Sequence, residues 1–430
     1  MSQVHRSFIA GVLLLFPMIC SGQAAEKPAS ALPQGVEPTD WPWWRGPMRT
    51  GEASADQVPP LTWSDTENVA WFADLPGRSH GSPIVVGSQV ILSVADNERG
   101  VQSLLCFDSD SGKRQWECIV HTGGIFQGGN KKASQASSTP ACDGERIFIN
   151  FLNSDAIWTS AVSRDGKVLW QKKVSDYVVH QGYGSSPAIY ENLVIATADN
   201  KGGGAIVAFD RATGAEQWRR ERPAKPNYPS PIILNIGGKD QLIMTGCDMV
   251  TSLDPLTGKQ LWEMEGATTE CVTSTVTDGT HIYTSGGYPK NHISAVVADG
   301  SNRVAWENTV RTYVPSMLIR DGYLYTIQDA GIATCFEAAS GKELWKGRLS
   351  GTFSASPVMV GNAIYVTNEA GETFVFEATP EQFNQLAKSK LGDEVMATPT
   401  FCRGRIYVRV AFLDGDTRRE RLYCLAQGVR

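Results

Sequence analysis

Chemistry near neutral pH is sought first among histidines, since an imidazole can serve as acid, base or metal ligand there. Of the five histidines beyond residue 25, His80, His121, His180 and His292 fall close to loops. Around them stand Arg78, Tyr183, Asp199, Asn200, Glu270 and Tyr288, a mixture of donors, acceptors and charges suited to gripping a polar ligand. Asp199-Asn200 and Asp96-Asn97 could offer oxygens to a hard cation, but the same residues ahead of glycine also compose a turn. The segment from His121 to Gln135 carries Gly123-Gly124, Gly128-Gly129 and Lys131-Lys132. Its glycine pairs lack the Gly-Lys-Ser/Thr of a phosphate loop. The chain has no HExxH or Cys-x-x-Cys motif. These residues therefore read as a binding surface, with no catalytic residue and no metal ligand assigned.

The elements that must position them come from a repeat. An apolar residue, Asp or Glu, Ser/Thr-Gly-Lys and Trp recur in order, as in Phe107-Asp108…Ser111-Gly112-Lys113…Trp116. The pattern returns around Asp210 and Trp218, Asp254 and Trp262, and Glu337 and Trp345. Looser copies end at Trp170 and Trp306. A second marker, a small residue beside proline or a close substitute, precedes each copy. It occurs at Ser82-Pro83, Thr139-Pro140, Ser186-Pro187, Ser230-Pro231, Ser274-Thr275, Pro315-Ser316, Ser356-Pro357 and Thr398-Pro399. Eight units spaced about 45 residues apart, each with four strand-like segments, predict an all-β, eight-bladed propeller.

Turn chemistry supports each unit: Asp and Ser/Thr side chains bond turn amides and Gly supplies a positive φ. Trp71, Trp116, Trp170, Trp218, Trp262, Trp306 and Trp345 read as structural rings wedged between blades, with each indole N–H free to meet a carbonyl. The seventh unit lacks its Trp, and a helix-like insert from Thr379 places Leu386 near the missing ring. The eighth unit lacks an outer strand, whereas Val69–Phe72 is an outer strand without a unit. The N-terminal strand should thus close the last blade beside the strand ending near Leu425.

The ends and the composition bound the rest. An apolar run from Phe8 to Cys20 followed by small residues reads as a signal peptide over residues 1–25, cleaved near Ala24 or Ala25. Bulky Ile19 argues against lipidation at Cys20. Residues 26–39 are expected to be a disordered leader, 40–67 an extension packed on the propeller, and 68–430 the propeller itself. Trp41-Pro42-Trp43-Trp44-Arg45-Gly46 could be an exposed aromatic patch, but reads better as packing along the barrel side with Arg45 stacked or paired. The 39 basic and 45 acidic side chains give a net charge of −6 without a like-charge block, which excludes a general nucleic-acid binder. Cys247 and Cys271 are the pair nearest to a plausible disulfide.

The Asp/Glu-x-x-Ser/Thr-Gly-Lys-x-x-Trp repeat resembles the tryptophan-docking motif of pyrroloquinoline-quinone (PQQ) type propellers. The Trp41–Pro47 segment and the ending Arg405–Arg409…Leu422–Leu425 are similar to exported, cofactor-less PQQ-like proteins related to the outer-membrane-assembly propeller lipoprotein BamB. This resemblance spans Asp40 to Leu425 and implies a non-catalytic exported monomer, not membrane-spanning, that binds a protein partner or polar ligand without a cofactor. The alternative it implies is an enzyme, a PQQ- and calcium-dependent dehydrogenase. Such enzymes add a vicinal disulfide, and this chain has no Cys-Cys pair. Repeat position puts Arg78, His80, His121, His180, Tyr183, Asp199, Asn200 and Glu270, with Lys131, Lys132, Gln135, Tyr288 and His292, on the loop face around the channel mouth. If unperturbed, those imidazoles would make binding pH-dependent between about 5.5 and 7.5.

Overall fold

The computed structural model describes residues 31–429; the expected signal peptide, Cys20 included, lies outside them. The chain forms eight four-stranded antiparallel sheets arranged as an eight-bladed propeller. Blade 1 runs from the inner strand Ile84–Val86 through Gln89–Asp96 and Val101–Asp108 to the outer strand Arg114–Thr122. The inner strands of the following blades start at Ala141, Ala188, Ile232, Val276, Leu318, Val358 and Thr400. Blade 8 is completed from the other end of the chain, with Val69–Leu75 paired to Thr417–Ala426 so that Phe72 opposes Tyr423.

Blades are apolar on both faces, because alternate side chains point to opposite sides of a strand. Each face must be buried against a neighbour. The core accordingly divides into eight clusters, each shared by two adjacent blades. Phe148, Ile157 and Trp170 of blade 2 meet Ile189, Val207 and Phe209 of blade 3 in one of them. Trp71, Leu422 and Cys424 meet Val90, Leu105 and Phe107 in the cluster that closes the ring.

The tryptophans tie these layers together. Six of the seven indole N–H groups reach a backbone carbonyl in the next blade: Trp71 to Ser109 at 3.0 Å, Trp116 to Arg164 at 3.0 Å, Trp170 to Arg211 at 3.1 Å, Trp218 to Pro255 at 3.1 Å, Trp306 to Ala338 at 2.7 Å and Trp345 to Thr379 at 2.7 Å. The turn glycine lies flat beneath the ring. A Cβ on Gly214, whose φ is +70°, would stand 2.7 Å from the Trp170 ring. Trp262 differs and donates to Gln241 Oε1 of its own blade at 2.9 Å, where the following turn, Asp299-Gly300, is the degenerate copy. Asp108 fixes its turn by accepting from Ser111 N at 2.8 Å and Ser111 Oγ at 2.7 Å. Those bonds hold its carboxyl below the usual range.

Three expectations are corrected. No helix forms after Thr379; the segment enters the outer strand Gln385–Lys390 directly. Ala387, not Leu386, occupies the register of the missing Trp, opposite Val375, and Leu386 is 42% exposed. Phe383 supplies the aromatic mass, packing 5.6 Å from Trp345 and 5.4 Å from Phe376. The described part of the expected disordered leader, residues 31–39, carries tight turns and buries Val36 against blades 1 and 2, because Leu32 and Val36 are apolar anchors among the prolines. Cys247 and Cys271 are free, buried thiols, as are the other six cysteines described.

Trp170→Ala removes both an inter-blade ring and its hydrogen bond, so urea unfolding should show a loss of about 3–5 kcal/mol. A loss below about 1 kcal/mol would mean the ring does not carry the blade interface.

Candidate functional site

The small-residue markers build the channel wall. Proline cannot donate an amide, so the residue before it supplies the last donor ahead of each inner strand. Ser82 N donates to Thr139 Oγ1 at 3.0 Å, Thr139 N to Ser186 Oγ at 3.0 Å, and Ser186 N to Ser230 Oγ at 2.9 Å. On the other side Ser274 N donates to Ser316 Oγ at 3.0 Å, Ser316 N to Ser356 Oγ at 3.0 Å, and Ser356 N to Thr398 Oγ1 at 2.9 Å. Each blade thus hands an amide proton to the hydroxyl of the next. The relay breaks at Ser274, whose Oγ accepts from Trp44 Nε1 at 2.8 Å, and at Ser82, whose buried Oγ has no partner.

Trp44 belongs to a plug. Residues 40–53 do not pack along the barrel side; they cross the channel and close it. Trp41 exchanges both backbone bonds with Val85, and Pro42 O accepts from Cys142 N at 2.8 Å. Arg49 stacks 4.4 Å over the Trp43 ring and donates to Ile189 O at 2.5 Å. Arg45 donates to Thr50 O at 2.6 Å, to Pro357 O at 3.4 Å and to Met317 O. Ala53 N donates to Met359 O at 2.9 Å. The physical reason is satisfaction of the channel wall: inner-strand carbonyls have no further strand to pair with, and the plug supplies donors. Burial without a bonded carboxylate lowers both Arg45 and Arg49 to about 10.

Above Trp44 lies a cavity of about 250 Å³ open at the mouth, lined by residues of every blade. The His121–Gln135 segment reaches over it. Lys132 Nζ sits 2.7 and 2.9 Å from the Glu369 carboxylate, and Glu369 also accepts from Ser354 Oγ at 2.7 Å. Arg78 steadies this segment through Lys131 O at 3.4 Å and Lys132 O at 3.5 Å, and lies 3.8 Å from Glu394. Beside the mouth, His180 Nδ1 lies 3.2 Å from Tyr228 Oη and 3.3 Å from Glu270 Oε1, and Tyr313 Oη donates to Glu270 at 3.5 Å.

The structure gathers only part of the set drawn from the sequence. His80, with Tyr228 and Lys132, lines the cavity, and Arg78, His180 and Glu270 stand close by. Asp199 instead is a buried ion-pair member, bonded by Arg222 at 3.0 Å twice and by Asn227 at 3.0 Å. Asn200 spends its amide within its own loop, on Ala198 O at 2.8 Å and Gly203 O at 2.7 Å, and accepts from Gly202 N at 2.8 Å. Tyr183 is buried and donates to Thr197 O at 2.9 Å. His121 lies at the end of an outer strand, edge-on to Phe151 at 5.9 Å, and His292 is 1% exposed within a strand. Repeat position fixed the loops but not which way each side chain turned. Type and spacing did not single out Tyr228, Glu369 or the hydroxyl ring, although a Ser or Thr at all eight inner-strand starts beside proline or its substitute was the ring's signal. Burial also lowers His80 well below its ordinary value and holds His121 and His292 near about 4. Burial thus moves the titration of these three imidazoles below the range in which a free imidazole changes charge.

A quinone held through calcium needs converging acidic and amide oxygens. Among the described residues no group of three or more His, Cys, Asp or Glu side chains is placed to hold a metal ion, and no acidic side chain lines the cavity. Asp199 and Asn200 spend their oxygens inside the fold. The residues present do not fit that cofactor.

A family model described as outer membrane protein assembly factor BamB matches residues 53–176, 130–346, 289–381 and 331–421. The outer membrane protein assembly factor BamB of Burkholderia pseudomallei (strain K96243) is 23% identical over 349 residues, 77% of this chain and 82% of that protein. A 1-butanol dehydrogenase (quinone) of Thauera butanivorans is 26% identical over 192 residues, 39% of this chain but only 28% of the dehydrogenase. Among solved structures, a europium-containing methanol dehydrogenase superposes with a TM-score of 0.67 at 12% identity, covering 91% of this chain and 98% of that one. At that identity the likeness is one of fold.

Two outcomes follow from the buried cations and imidazoles. Arg45→Ala leaves two carbonyls of the channel wall, of Met317 and Pro357, and the plug's own Thr50 carbonyl without this donor, and urea unfolding should show a loss of about 2–4 kcal/mol; an unchanged midpoint would free the plug of any structural role. For His80, His121 and His292 the unfolded chain binds protons more readily than the folded one. Stability should therefore be full above about pH 6.5 and fall as pH drops toward 4. His121→Phe should flatten that slope, and identical urea midpoints at pH 7.5 and 5 would contradict the assignment.

Proposed function

The chain belongs to the family of the outer membrane protein assembly factor BamB, and from that premise we propose that it is an exported, non-catalytic scaffold whose channel-mouth loops hold a segment of a protein partner. The observation that carries this reading is how the charged groups at the mouth are used. Lys132 faces Glu369 and His180 faces Glu270, so acids and bases from non-adjacent blades pair with each other around the mouth and do not converge on one reacting point. Catalysis needs a nucleophile, a base and a stabiliser around a single site. Recognition needs a rigid rim of adaptable polar groups, which loops on a propeller supply. No described helix is long and apolar enough to cross a membrane, which accords with a scaffold acting at the membrane surface. By analogy with the Burkholderia relative, the work served is outer membrane protein assembly.

One observation favours a second reading, a quinone-dependent alcohol dehydrogenase: the partial match to the Thauera butanivorans enzyme. The two readings separate cleanly in the laboratory. Deleting the gene in its host should lower the amount of folded outer-membrane barrels, measured by heat-modifiable mobility. Wild type should restore it, whereas Lys132→Glu combined with Tyr228→Ala should not. Unchanged barrel levels, together with butanol-dependent dye reduction by the purified protein supplied with PQQ and calcium, would reverse the choice.

A further inference from the structure

We propose that the throat of the channel, beneath the mouth loops, is an oxyanion site that takes a carboxylate. The six relay hydroxyls, of Thr139, Ser186, Ser230, Ser316, Ser356 and Thr398, all line the cavity. Each already accepts an amide N–H from the preceding blade. A hydroxyl has one proton to give, and none of the six gives its proton to another described protein group. An oxygen that accepts one hydrogen bond donates its own proton more strongly. The throat is therefore a circle of six polarised donors, each oxygen having spent one of its two lone pairs.

Six protons still to be given favour a ligand rich in acceptors. A sugar, a polyol or water divides itself between donating and accepting, and so uses such a ring less fully than a group that only accepts. A carboxylate brings about four lone-pair sites and no donor. Lys132 lines the cavity whereas its partner Glu369, 2.7 Å away, does not, so a partly offset ammonium faces the ligand. Trp44 has given its N–H to Ser274, so the floor it forms meets a ligand as indole surface, and Val272, Val314 and Met396 add apolar wall for a carbon body. The inference goes beyond the mouth reading: Lys132 and Tyr228 serve both, whereas the relay hydroxyls belong to the throat alone. Carboxylate binding by the wild type and its weakening in the Ser186 and Ser356 variants therefore test the throat even if partner binding by the loops fails.

The carboxylate could belong to a free small acid or to the C-terminus of an extended polypeptide, and the test distinguishes them. Purified full-length mature protein is titrated with acetate, succinate, trialanine and trialanine amide at constant ionic strength in chloride, with glycerol as the neutral control. Binding is followed by calorimetry and by tryptophan fluorescence. At least one carboxylate should bind saturably while glycerol and the amide do not, and the fluorescence change should vanish in Trp44→Phe. Ser186→Ala with Ser356→Ala should weaken binding by about tenfold, and Lys132→Gln, which leaves the relay intact, by about threefold or more. Preference for trialanine points to a polypeptide terminus, and preference for acetate or succinate to a small acid. The proposal is overturned if no carboxylate binds saturably, if glycerol binds equally well, or if the signal survives in Trp44→Phe. Unchanged affinity in Lys132→Gln overturns it too, and decides the matter should the serine pair fail to fold.

Discussion

A four-stranded blade has two apolar faces and can bury neither by itself. Everything else in this protein answers to that constraint. It dictates eight cores between blades in place of one central core, and it forces the last blade against the first. An indole set between neighbours is an efficient answer, since one side chain buries a large ring and spends its N–H on the next blade's turn. The glycine under the rings of Trp71, Trp116, Trp170, Trp218 and Trp306 is required because any side chain there would occupy the space of the indole.

Much of this was legible in the sequence because it is local. The turn Asp, the Gly and the Trp lie within nine residues of one another, and the period repeats them often enough to count blades. Closure by the N-terminal strand followed from two fragments that each lacked what the other had. Legibility ended where partners are distant. The plug has no periodicity, and its contacts run from Val85 to Met359, so nothing near Trp44 in the sequence announces Ser274. Blade 7 misled for a related reason. The eye seeks one apolar residue to replace one Trp, whereas the fold uses Phe383, displaced from that register, with Ala387 in it.

The candidate surface was legible as loops and not as side chains. Asp199 and Asn200 have the composition of a ligand pair, yet the pull of Arg222 and of turn amides turns both inward. A buried ion pair of that kind is costly to break once formed, which fixes the loop and takes its carboxylate out of reach of solvent. What is left at the mouth comes from several blades, each giving one or two polar groups. Such a rim is rigid because its scaffold is rigid, while its chemistry can be varied one loop at a time.

Repeat proteins that stack in an open line unfold piecemeal, since each unit touches only its neighbours and the ends can fray. Threading residues 40–53 across inner strands of blades 1, 2, 3, 5, 6 and 7 changes that arithmetic. Loosening one blade now withdraws partners from a segment that five others also hold, and the strand Val69–Leu75 that follows it secures the last blade. Partly opened rings lose more than the contacts of the blade that opened, so the array should melt as one cooperative body. The cost falls on folding: the segments synthesised first find their final partners only after the residues near the C-terminus exist, which places the slow, long-range steps at the end of assembly.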